Sequence, residues 1–154
     1  MSRTFFKINA SELRRLEEAL GSLPEAARKV TKEKKFLDSV GQLLAARGKQ
    51  NLEDGGADGT SYTLLKPATR RWKSKKGYST KPLQRTGLMR RSLSHEVADG
   101  ELTLTGIRII KHHQYGAPRA GIPERPVFTV SNDDREDIQD FLIRRFEQLN
   151  KNLS

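Results

Sequence analysis

Between Gly59 and His95 the chain carries ten basic residues, Lys66, Arg70, Arg71, Lys73, Lys75, Lys76, Lys81, Arg85, Arg90 and Arg91, and no Asp or Glu. Elsewhere its 19 remaining Lys and Arg balance 19 acidic residues, so the formal net charge of +10 belongs to one internal segment. The sequence therefore reads as a neutral body that carries one basic segment. Only 34% of the 154 residues are apolar, below the usual ~45%, and the expectation is one small core in a single domain over residues 1–154.

The absence of cysteine excludes a disulfide framework, thiolate-bound zinc, an iron-sulfur cluster and a thiol nucleophile. No apolar run approaches the ~18 residues of a membrane span, and the polar start Met1-Ser2-Arg3-Thr4 does not read as a signal peptide. The expectation is a soluble protein used inside a cell, without a membrane partner.

Periodicity organises the flanks. Ser11 and Glu12 open a short amphipathic helix that stops at Gly21. Ser22-Leu-Pro24-Glu25 has the form of a capping box, and apolar residues at Ala26, Ala27, Val30, Leu37, Val40, Leu43 and Leu44 predict one long helix from near Leu23 to near Leu52. From Glu53 to Arg85 the periodicity disappears, and glycines and prolines predict a long, flexible basic loop. Thr86-Gly87 predicts a capped helical turn through Met89. Asp99-Gly100 between Ser92–Val97 and Glu101–Ile110 predicts a β-hairpin. The apolar phase flips at Gly106, which predicts a bulge or bend. His112 to Gly116 reads as a turn and Pro126 to Val130 as a short edge strand. Ser131-Asn132, followed by acids and by Ile138, Phe141, Leu142, Phe146 and Leu149 on one face, predicts a C-terminal helix. The fold class is α+β: a small antiparallel sheet packed by a long helix from the N-terminal half and by a C-terminal helix, with a long basic loop.

No enzyme constellation is visible. His95, His112 and His113 lack ligand spacing, the carboxylates gather at helix starts, and neither a nucleophile elbow nor a phosphate-binding glycine loop is present. No catalytic, metal or cofactor site is expected. The basic segment, interleaved with Tyr62, Trp72 and Tyr78, suits either nucleic acid, by neutralising phosphates and stacking on bases, or an acidic protein surface. The nine basic residues other than Lys66, together with Trp72, are the candidate contacts; Trp72 is either a stacking platform or an anchor that pins the loop.

The order of motifs carries a resemblance. Trp72, Leu83-Gln-Arg-Thr86-Gly87-Leu88-Met-Arg-Arg-Ser92, His113-Gln-Tyr115-Gly116, Ile122-Pro123-Glu-Arg125-Pro126 and Ser131-Asn-Asp133 follow one another with a spacing that resembles the phage virion morphogenesis, or tail completion, proteins of Mu-like and P2-like phages and prophages. The similarity covers about residues 10–150. Physically, Thr86 can cap a turn, Gly87 and Gly116 supply permissive backbone, and Pro123 and Pro126 stiffen the segment that carries Arg125, either for an ion pair or for a contact between subunits. The resemblance implies a structural protein of the virion tail, assembled in the host bacterial cytoplasm. It would act in tail completion or head-tail joining as a homo-oligomeric ring, with tail or head-tail connector proteins as partners. A sequence-tolerant nucleic-acid-binding protein using residues 59–95 is the competing expectation, so DNA remains a candidate partner.

Overall fold

The structure, a computed structural model, describes residues 3–6 and 29–151; the helix expected over Ser11–Gly21 and the Ser22–Glu25 capping box lie outside them. The fold is α+β. Among the described residues the elements are β1 (Arg3–Phe6), α1 (Lys34–Asp54), β2 (Gly56–Ala57), β3 (Thr60–Ser61), α2 (Pro67–Lys75), α3 (Leu88–Ser92), β4 (Ser94–Ala98), β5 (Glu101–Ile107), α4 (Ile109–Gln114), a 3₁₀ turn at Pro118–Ala120, and α5 (Asn132–Lys151). β5 lies between β4 and β1, and β2 pairs with β3 in an antiparallel ribbon. Two compact units emerge, one formed by residues 1–4, 45–93 and 105–129, the other by 5–44, 94–104 and 130–154.

In the second unit the predicted long helix is corrected. The chain turns at Thr31 and Lys32, and α1 begins at Lys34. Thr31, Lys32 and Glu33 offer no apolar side chain to bury, and Lys34 and Lys35 follow directly, so packing does not carry the helix through residues 31–33. The Glu33 carboxylate instead accepts a hydrogen bond from Arg145 Nε of α5 at 2.7 Å, and the Glu33 carbonyl accepts from the Leu37 amide. Val30, Phe36, Val40 and Leu44 are buried, as are Leu104 of β5 and Ile138 and Leu142 of α5. The β4–β5 hairpin turns at Asp99 (φ 53°) and Gly100 (φ 74°), the double left-handed geometry that Asp-Gly favours. A side chain at Gly41 would collide with the His95 ring and Leu102, so glycine there lets α1 approach the hairpin. His95 Nε2 and Asp38 Oδ1 are 2.7 Å apart, and this bond holds the Asp38 carboxyl below its usual range.

α5 starts as predicted. The Asp134 amide donates to Ser131 Oγ at 3.1 Å, while Asp134 Oδ2 accepts from the Ser131 amide and hydroxyl, a reciprocal cap.

In the first unit Leu52, Tyr62, Met89, Leu93, Ile110 and Val127 are buried. Three expectations are corrected here. The segment read as a loop contains the β2–β3 ribbon and α2. β5 ends at Ile107 rather than running on to Ile110; the phase flip at Gly106 falls one residue before that end, and His112 and His113 belong to helix α4 rather than to a turn. A Cβ at Gly106 would overlap the buried Ile110 side chain, so glycine permits that tight exit. Finally, Pro126 to Val130 forms no strand. Its backbone is satisfied by side chains instead: Gln114 Oε1 accepts from the Val127 and Phe128 amides at 2.9 Å each, Gln114 Nε2 donates to the Phe128 carbonyl, and Asn51 Nδ2 donates to the Val127 carbonyl at 3.0 Å.

Candidate partner-binding surface

α2 forms where proline fixes its first turn and glycine ends it. Pro67 needs no amide donor at that position, and Gly77 (φ 72°) closes the helix with its amide donating to Ser74 O while the Tyr78 amide donates to Lys73 O at 2.9 Å. This paired closure folds Tyr78 back over the helix, with its ring centroid 5.8 Å from that of Trp72. The Arg85 guanidinium lies 5.3 Å from both ring centroids. Trp72 remains 44% exposed.

The ten cations divide by location. Lys73, only 5% exposed, points inward, and its Nζ donates to the carbonyls of Lys81 (2.8 Å) and Gln84 (3.0 Å). Burial, with Arg85 nearby, pushes its pKa down. Lys81 Nζ donates to the Glu53 carbonyl at 3.1 Å, and Gln84 Nε2 donates to the Leu52 and Glu53 carbonyls, so residues 81–84 cap the last turn of α1. Arg90 pairs with the Glu53 carboxylate at 3.2 Å. Arg70, Arg71, Lys75 and Lys76, with Lys66 and Arg91, remain exposed. Arg71 and Lys75, one turn apart, lie on the face of α2 opposite Lys73, and none of the four exposed α2 cations meets a carboxylate among the described residues. Beside this helix a cavity of about 230 Å³ is lined by Leu52, Glu53, Ser79, Leu83, Gln84, Arg85, Gly87 and Arg90. Leu83 on its wall has φ 60°, a strained backbone for a leucine.

Among the described residues no group of three or more His, Cys, Asp or Glu is placed to hold a metal, and no helix is long and apolar enough to cross a membrane.

The family model of phage virion morphogenesis proteins matches residues 11–147, most of the chain. The chain belongs to the phage virion morphogenesis family. No curated protein and no solved structure gives a significant match. A virion morphogenesis protein is a component of the virion or of its assembly. The motifs that carried the resemblance lie in the first unit from Trp72 to Pro126, and Ser131–Asp133 lies in the second.

Thr86 Oγ1 accepts from the Leu88 amide at 3.4 Å, and Gly87 (φ 69°) opens α3. Leu88 itself is exposed. Ser92 Oγ donates to the Met89 carbonyl at 2.7 Å and accepts from the Ile107 amide at 3.1 Å, linking α3 to the end of β5. Gly116 (φ 67°) lies against the backbone of Ile122 and Glu124, where a Cβ would crowd the chain that leads from Pro123. The Pro126 carbonyl accepts from Tyr62 Oη at 2.7 Å, and burial, then Asp58, raises the Tyr62 pKa.

Arg125 is 5% exposed; its Nε donates to the Thr63 carbonyl at 3.0 Å and its amide to the His113 carbonyl at 2.7 Å. Of its two anticipated roles, an ion pair is not formed among the described residues, and the side chain is turned inward. Its burial lowers its pKa. His113 Nδ1 is buried without a hydrogen-bond partner, and burial, then Arg125 and His112, holds that ring below its usual pKa. Tyr115, by contrast, is exposed. Sequence reasoning did not single out Asn51 or Gln114. A polar residue on an apolar helical stripe (Asn51) or inside a family motif (Gln114) was the available signal.

Proposed function

We propose that this protein is a structural, non-catalytic part that completes the phage tail and prepares it for joining to the head. It acts as a closed homo-oligomeric ring in the virion tail, assembled in the host bacterial cytoplasm among tail and head-tail connector proteins. The observation that carries this reading is the family match over residues 11–147. It fits a chain whose motif residues brace turns and helix ends and whose strongest surface feature is a cationic helix suited to docking. Rings arise when one surface of a subunit meets a different surface of the next and the rotation closes. Deleting the gene and imaging the products by electron microscopy tests the role: separate full heads and tails are expected, and normal virions would overturn it. Light scattering of the protein with tail components tests the ring, which a strict monomer would sink.

A second reading, sequence-tolerant nucleic-acid binding, is favoured by one observation, the exposed Trp72 ring beside Arg85 and the α2 cations. It requires duplex or single-stranded DNA binding that falls steeply with salt and is lost on neutralising Lys75 and Lys76. Absence of binding at low salt removes it.

A further inference from the structure

α2 and its C-cap residue concentrate Arg70, Arg71, Lys75 and Lys76, with no acid in the first turn of the helix. Like charges one turn apart, as at Arg71 and Lys75, disfavour an isolated helix, and only Lys75 and Lys76 gain from the dipole at its C-terminal end. Among the described residues no carboxylate reaches these four. The same stretch also exposes apolar side chains, Trp72 and Leu64, the latter 70% exposed. Duplex DNA would neutralise the cations but offers little to an exposed leucine, so a protein surface that is both acidic and apolar is the better match.

One such surface is described on this chain. On α5, Asp133, Glu136, Asp137 and Asp140 share the exposed face opposite the buried Ile138 and Leu142, and the same face carries Ile143, 55% exposed. Among the described residues only Asp140 of these carboxylates is paired, with Arg144 of its own helix at 3.6 Å. At 1.5 Å per residue, Arg70 to Lys76 and Asp133 to Asp140 each extend about 10 Å, so the two rows match in length. They belong to different units of the chain.

We infer that the cationic α2 face of one copy docks on the acidic α5 face of a second copy, with Trp72 and Leu64 meeting Ile143. This deepens the ring reading above and rests on it. The contact joins two different patches, the kind of interface that builds rings, and its charges govern association rate and register more than final affinity.

The test uses the full chain and two charge-reversed variants, Arg70→Glu/Arg71→Glu/Lys75→Glu and Glu136→Lys/Asp137→Lys/Asp140→Lys, in sedimentation velocity. The unaltered chain should associate, about tenfold more weakly at 0.5 M than at 0.05 M salt. Each variant alone should be monomeric, and an equimolar mixture should associate again, since every α2 face then finds an opposite α5 face. If circular dichroism shows that a reversed variant is unfolded, Arg71→Gln/Lys75→Gln replaces it and should flatten the salt dependence. An oligomer indifferent to the reversals, or two folded variants that do not associate on mixing, overturns this contact and leaves the ring reading standing. A chain that is monomeric both alone and with tail components overturns both. A low-salt monomer that instead binds duplex DNA through the α2 cations overturns this contact in favour of nucleic acid.

Discussion

The Arg85 guanidinium lies 5.3 Å from the ring centroid of Trp72, the chain's one tryptophan, and at the same distance from Tyr78. One cation thereby ties the end of the basic segment back to its own helix. Removing it should loosen that tie and wet the indole. Arg85→Ala is expected to shift Trp72 emission to longer wavelength and to lower stability by about 0.5–1 kcal/mol in urea unfolding. An unchanged emission spectrum would show that the stack does not order the segment.

Lys73 and Lys75 are two residues apart and should behave oppositely. Lys73→Met strands the carbonyls of Lys81 and Gln84, which its Nζ satisfies, and should cost about 1–3 kcal/mol. Lys75→Met, on the exposed face, should stay within about 0.5 kcal/mol. Equal effects in denaturant titrations would contradict the inward placement of Lys73.

Gln114→Leu keeps the side chain's bulk but leaves the Val127 and Phe128 amides and the Phe128 carbonyl without this partner. A loss of about 1–3 kcal/mol is expected, with faster amide hydrogen exchange at Val127 and Phe128. Protection that survives the substitution would mean that other groups hold this segment.

His113 supplies a pH dependence of definite sign. Its pKa is lowered in the folded protein, so below the ordinary value of about 6.5 the unfolded chain binds the proton more readily. Stability should therefore fall as pH drops below about 6.5, until the folded-state pKa is also passed. His113→Asn should flatten that limb of the curve in thermal melts at stepped pH; an unchanged slope would assign it to another group.

Local chemistry alone located several features. Asp99-Gly100 requires two left-handed residues, which places the hairpin turn; Ser131 with Asp134 places the start of α5; and charge repulsion keeps most of the cations of residues 59–95 at the surface. Each depends on neighbours in sequence. The inward turn of Lys73, the carbonyls that Gln84 caps across more than thirty residues, and the failure of Pro126 to Val130 to become a strand depend on groups distant in sequence. A β-rich pentapeptide has no preference strong enough to refuse Gln114 and Asn51 when they satisfy its backbone first, and only the folded chain brings them there. The sequence by itself determined an α+β chain with one cationic segment. Tertiary structure decided which cations brace the framework and which stay exposed, because a buried ammonium must find carbonyls while an exposed one need not.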